Sequence, residues 1–206
     1  MGILNFLKGT YSGKVGATVG AKWKNKGTVR TFAIPSNPNT PAQQAVRSGF
    51  KTLSSFVSLF SDRISRLTAL DTRGMSVRNA IIKLNAGQIT ADSFTSADLI
   101  ISKGGLPNVN GFDAVVPADL SAINCTWTKA TSPSISDKAQ VVVVAVDSEH
   151  KTAYVESALN SAQSLSLPGP VVAGATLHVY YYLLDYRGSS KVASINAYKL
   201  VTAPTP

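Results

Sequence analysis

The chain has 206 residues, 44% of them hydrophobic and 15% charged, with a formal net charge of +9. That much apolar material builds one or two packed cores and excludes an intrinsically disordered chain. The single cysteine, Cys125, excludes an internal disulfide and a cysteine-based zinc site, so the fold rests on packing. No run reaches the roughly 18 apolar residues of a membrane span, and Met1–Lys8 lacks the basic flank of a signal peptide.

The charge is unevenly spread. Thirteen Lys and Arg face two Asp between Met1 and Lys83, whereas seven basic residues face nine acidic ones from Leu84 onward. Such asymmetry points to a polyanion or an acidic partner for the first half; the competing reading is a solvated basic face.

Residues 9–34 carry five glycines (Gly9, Gly13, Gly16, Gly20, Gly27) among Val15, Val19, Trp23, Val29 and Phe32. This mixture predicts short strands joined by tight turns. Lys24-Asn25-Lys26-Gly27 is the hairpin signal, pairing Gly20–Trp23 with Thr28–Ala33. Alternation along such a ribbon predicts Lys22, Lys24 and Lys26 on one face with Trp23 turned away. The cations can track phosphates and Trp23 stack on a base, or Trp23 fills a small core and the lysines keep an edge hairpin soluble. Lys14, Lys22, Lys24, Lys26 and Arg30, with Arg47 and Lys51 further on, are the candidate contacts to nucleic acid or an acidic partner. Gly9–Val15 is no phosphate loop: its spacing is one residue short, and Val15 stands where Ser or Thr is needed.

Thr40-Pro41 with Gln43 reads as a helix start. Ala42, Val46, Phe50, Leu53, Val57, Phe60, Ile64 and Leu67 then follow at helical spacing for about seven turns. Val46, Phe50, Leu53, Val57, Phe60 and Ile64 form a stripe for the core or for another subunit, while Arg47, Lys51, Arg63 and Arg66 lie off it. A second helix is expected over Ser76–Leu84, stopped by Asn85-Ala86-Gly87.

Strand patterns follow at Leu99–Ser102, Asn124–Thr128, Gln140–Val146, Ala153–Ser157, Ser164–Leu167, Thr176–Asp185 and Val192–Leu200, with Trp127 as a core anchor. The fold class is therefore α+β: a basic hairpin-and-helix region over 1–90, then an immunoglobulin/fibronectin-like β-sandwich over 91–206.

Site chemistry is thin. His150 sits in the polar turn Asp147-Ser148-Glu149-His150-Lys151, and His178 lies in mid-strand. No catalytic residue, metal site, cofactor or small-molecule substrate is expected, and the chain reads as a non-enzyme. Tyr180, Tyr181, Tyr182 and Tyr186 could serve a glycan site, but alternation buries about half of them.

Ser12-Gly13-Lys14-Val15-Gly16, Val19-Gly20, Trp23-Lys24, Asn37-Pro38-Asn39-Thr40, Ala42-Gln43-Gln44 with Arg47, Arg78-Asn79-Ala80 and Leu99–Gly104 together resemble an uncharacterised family of Bacteroidota and their mobile elements. The resemblance spans most of the chain and carries no activity or site residues. It implies association with phage-like gene sets. The expected function is a structural component of an assembled particle, a virion protein of the minor capsid, connector or decoration type. Such a protein would assemble in the host cytoplasm, form homo-oligomers, contact other particle proteins and DNA, and have no membrane partner. The alternative is a cellular nucleic-acid-binding module using the basic half.

Overall fold

The computed structural model describes residues 3–5, 10–23, 26–34, 36–37, 39–89 and 94–205. The chain divides by its contacts into Met1–Thr40 and Pro41–Pro206.

The first unit is an antiparallel sheet in the order β1-β2-β3-β4, made of β1 (Ile3–Asn5), β2 (Thr10–Val15), β3 (Thr18–Trp23) and β4 (Lys26–Thr31). Gly16 holds φ +57 at the first position of the loop closing the Val15–Thr18 pair, a conformation that favours glycine in a tight hairpin.

The second unit is a β-sandwich with a helical layer on one side. The smaller sheet has the order β5-β6-β9, from β5 (Asn110–Val115), β6 (Ala122–Thr128) and β9 (Ser164–Pro168). The larger has the order β11-β10-β7-β8, from β7 (Gln140–Asp147), β8 (Thr152–Leu159), β10 (Thr176–Arg187) and β11 (Ser190–Ala193), with β12 (Ala197–Thr202) also paired to β10. This is the immunoglobulin/fibronectin-like sandwich of the sequence reading, in a mixed α+β chain.

The apolar run Val141–Val146 is buried throughout because β7 has a core on each face. Val141, Val143 and Ala145 meet Phe112, Ile123, Trp127 and Leu167 of the opposite sheet. Val142, Val144 and Val146 meet Leu53, Val57, Phe60 and Ile81 of the helical layer. β10 alternates the same way, sending Leu177 and Val179 to the first core and Tyr180 and Tyr182 to the second. The hydroxyls of those two tyrosines donate to the carbonyls of Ser96 (2.7 Å) and Leu67 (2.6 Å), so neither is buried unpaired. The Trp127 indole N–H donates to the Asn160 carbonyl at 3.1 Å, as a core anchor should.

The helical layer moves the expected boundary at 90/91. α1 (Pro41–Ser58) and α2 (Val77–Asn85) bury their apolar faces against the β7–β10 face, so they share a core with the sandwich and the division falls at 40/41. α1 also stops short of Leu67. From Leu59 the chain tightens into turns with i→i+3 bonds, such as Arg63 N–H to Phe60 C=O and Leu67 N–H to Ile64 C=O, which keep Phe60 and Ile64 buried at near-helical spacing. α2 begins as expected, its cap Ser76 accepting from the Asn79 N–H at 3.2 Å.

Two strand expectations change, and one strand is added. Leu99–Ser102 is not in a sheet. Its backbone is held by side chains instead: Asn85 bonds both backbone groups of Ile100 at 2.8 Å, and Asn196 accepts from the N–H groups of Ile101 and Ser102 and donates to the carbonyl of Leu99. Val192–Leu200 divides into β11 and β12, interrupted at Ser194–Asn196 where those bonds to the 99–102 segment are made. β5 went unread because Pro107, Asn108, Asn110 and Gly111 look like a loop; a bulge with Gly111 at φ +58 lets the strand form there.

Candidate functional site

The first unit is a small antiparallel sheet. Among its described residues only Gly20 is buried, while Val29 is 57% and Ile34 83% exposed. It carries six Lys or Arg and no Asp or Glu across residues 1–40. A few strands need an apolar face covered to be stable in water.

The register gives its two faces different chemistry. Lys14 pairs with Val19 and Val19 with Arg30, so Lys14 and Arg30 flank Val19 on one face. Lys14 Nζ lies 3.8 Å from the centroid of the Phe32 ring. Gly13, Gly20 and Val29 line up on the other face, with Val15, Thr18 and Thr31 in the next row. Lys22 pairs with Gly27 and Trp23 with Lys26, which places positions 22 and 26 on opposite faces. The expected row is therefore broken between Lys22 and Lys26, because direct pairing of Trp23 with Lys26 fixes the alternation from there. Lys24 itself and the Trp23 side chain lie outside the described residues.

In the second unit the expected stripe on α1 splits. Leu53, Val57, Phe60 and Ile64 are fully buried in the helical layer, whereas Val46 is 61% and Phe50 46% exposed. The helix packs on the sheet only from Gly49 onward, so its first turns display two apolar side chains next to the exposed cations Arg47 and Lys51. An apolar patch rimmed by charge is the usual face of a protein–protein contact.

Beside it runs a cleft of about 590 Å³, lined by Lys51, Ser55 and Phe56 of the helix, by Leu59 just after it, and by Ser148 and Lys151 of the β7–β8 turn. It pairs the expected Lys51 with a cation that the sequence reading passed over. Lys151 belongs to a turn read for its histidine, and nothing local to that turn signals the helix across the cleft.

Acid–base and thiol groups have structural explanations. Asp147 is buried, accepts from the N–H groups of Glu149 and His150 at 3.0 Å, and contacts His150 Nδ1 at 2.7 Å, so it ties the turn together. His178 Nδ1 lies 2.9 Å from the Tyr198 hydroxyl, and burial lowers its pKa below the usual histidine value against an opposing pull from Asp147. Among the described residues no group of three His, Cys, Asp or Glu could hold a metal ion, and no helix is long and apolar enough to cross a membrane.

Cys125 is buried in the sandwich core, and its thiol is pushed up to about 12, first by burial and then by the negative charge of Asp113. The native protein is expected to resist Ellman's reagent at neutral pH and to react fully once unfolded in guanidinium. Rapid modification of the native protein contradicts that placement.

No family model and no curated protein matches the chain. Among solved structures, the chain is similar to the fn3 domain of the human collagen alpha-1(XX) chain, at 25% identity and a TM-score of 0.33, with 51% of this chain and 88% of that one covered.

Proposed function

We propose that the chain is a non-enzymatic structural subunit of an assembled particle, a phage virion component of the minor capsid, connector or decoration type. The observation that carries this reading is the first unit: a sheet whose described residues form no core, with six cations and not one acid across residues 1–40. Such a sheet gains its stability from what covers it. Its like charges disfavour stacking on another copy of the same face, so that face takes an anionic surface, either DNA or an acidic neighbour in the particle. The exposed start of α1, with Val46 and Phe50 next to Arg47 and Lys51, supplies a second contact, and the sandwich is the body on which α1 packs. The resemblance to a phage-associated family supports the same assignment.

Size-exclusion chromatography with light scattering on nuclease-treated protein, with and without DNA, tests it. The expected result is a defined oligomer or larger assembly without DNA. A strict monomer that shifts only with DNA, reversibly with salt, transfers the case to a nucleic-acid-binding module.

A further inference from the structure

A second cleft, of about 570 Å³, lies in the second unit away from the exposed end of α1, between the 69–75 segment, α2 and the 99–106 segment. Its floor is apolar, with Leu70, Met75 and Leu84, and each of the three segments contributes one cation: Arg73, Lys83 and Lys103. We propose that this cleft binds a small organophosphate, with the phosphate on the three cations and the apolar body on Leu70, Met75 and Leu84. The volume falls within the range of small-ligand sites, and an apolar wall with a few charged groups around it is how such sites are built.

Two of the cations are set on fixed backbone, and the third is an exposed side chain held by a neighbouring acid. Lys83 lies in the last turn of α2, which Ser76 caps at one end and Asn85 ties to Ile100 at the other. Lys103 follows Ser102, whose hydroxyl donates to the Ser194 carbonyl at 2.7 Å, and precedes Gly104, packed against Ala193. Arg73 is held by Asp71 through Nε at 3.0 Å and Nη2 at 2.8 Å, which orients the guanidinium and leaves Nη1 for a ligand oxygen. The Arg73 hydrogen bond holds the Asp71 carboxyl down to about 2, so that pair stays charged across the neutral range. Three cations against one committed carboxylate favour a doubly charged phosphate over a carboxylate, and the thioether of Met75 suits a flat ring.

Phenyl phosphate is the probe, titrated into the full chain at low salt by calorimetry beside inorganic phosphate, benzoate and phenol. The expected result is saturable binding at about 1 mM or tighter, about tenfold tighter than inorganic phosphate because the ring is buried. Lys83→Gln and Lys103→Gln should each weaken it about threefold, as exposed ion pairs do, with unchanged melting, and Lys51→Gln in the other cleft should leave it unchanged. Absence of binding, equal binding of inorganic phosphate, indifference to Lys83→Gln and Lys103→Gln, or equal weakening by Lys51→Gln each overturns the proposal. None of these outcomes depends on whether the chain assembles.

Discussion

Phe60→Ala is expected to destabilise the second unit by about 3–5 kcal/mol, the usual cost of emptying a buried phenylalanine site, and to lower its melting midpoint by about 10 °C. Phe60 is fully buried just beyond the end of α1, edge-on to Phe56 at 6.1 Å between ring centroids, in the core that the helices share with Val142, Val144 and Tyr182. The sheet side of that site is built from β7 and β10, the two central strands, so it has little freedom to collapse into the space. Phe50, earlier on the same stripe, is 46% exposed, and Phe50→Ala should cost under about 1 kcal/mol. Chemical denaturation of both variants measures the contrast. Equal costs would place the whole stripe in one core and remove the open surface on which the assembly reading depends.

Neighbouring glycines supply the second large effect. A Cβ on Gly104 would stand 1.9 Å from the Ala193 carbonyl oxygen, whereas one on Gly105 meets nothing within 4 Å. The obstacle is backbone, so the 99–106 segment must leave the β11 edge, giving up the bond from Leu106 N–H to the Ala193 carbonyl. Gly104→Ala should therefore cost about 3 kcal/mol or more, at the upper end of small-to-large changes, and Gly105→Ala less than about 0.5 kcal/mol. Thermal melts of the pair decide it, and similar melting midpoints would mean that the segment does not lie against β11. Because Lys103 is carried on this segment, Gly104→Ala should also disturb the phosphate cleft.

The legible parts of the fold were those whose signal is local. The apolar run of β7, the start of α2 at Ser76 and the burial of Trp127 follow from runs, caps and alternation within a few residues. What stayed hidden depends on partners far along the chain. Nothing near Leu99–Ile101 shows that Asn85 and Asn196 bond their backbone, so an extended buried segment passed for a strand. The stripe from Val46 to Ile64 reads as one surface because helical spacing continues after the helix ends; the packing that buries only its later part is set by the second face of β7 and β10, which the strand pattern alone does not reveal. Among candidate contacts, Lys14 and Arg30 share a face, and Lys22 and Lys26 do not, because one residue of hairpin register decides the face. Lys83, Lys103 and Lys151 carried no signal in sequence, since each gains its neighbours only through tertiary packing.

The central claim is that the chain assembles, through the basic sheet of the first unit and through a subunit contact at the exposed start of α1. Light scattering of the Val46→Ser/Phe50→Ser double variant beside the parent chain, with the melting midpoint recorded for both, tests it most directly. The account predicts a lower association state with a midpoint lowered far less than that of Phe60→Ala, since Val46 is 61% and Phe50 46% exposed within the chain. An unchanged association state, or a midpoint lowered as far as that of Phe60→Ala, would contradict it.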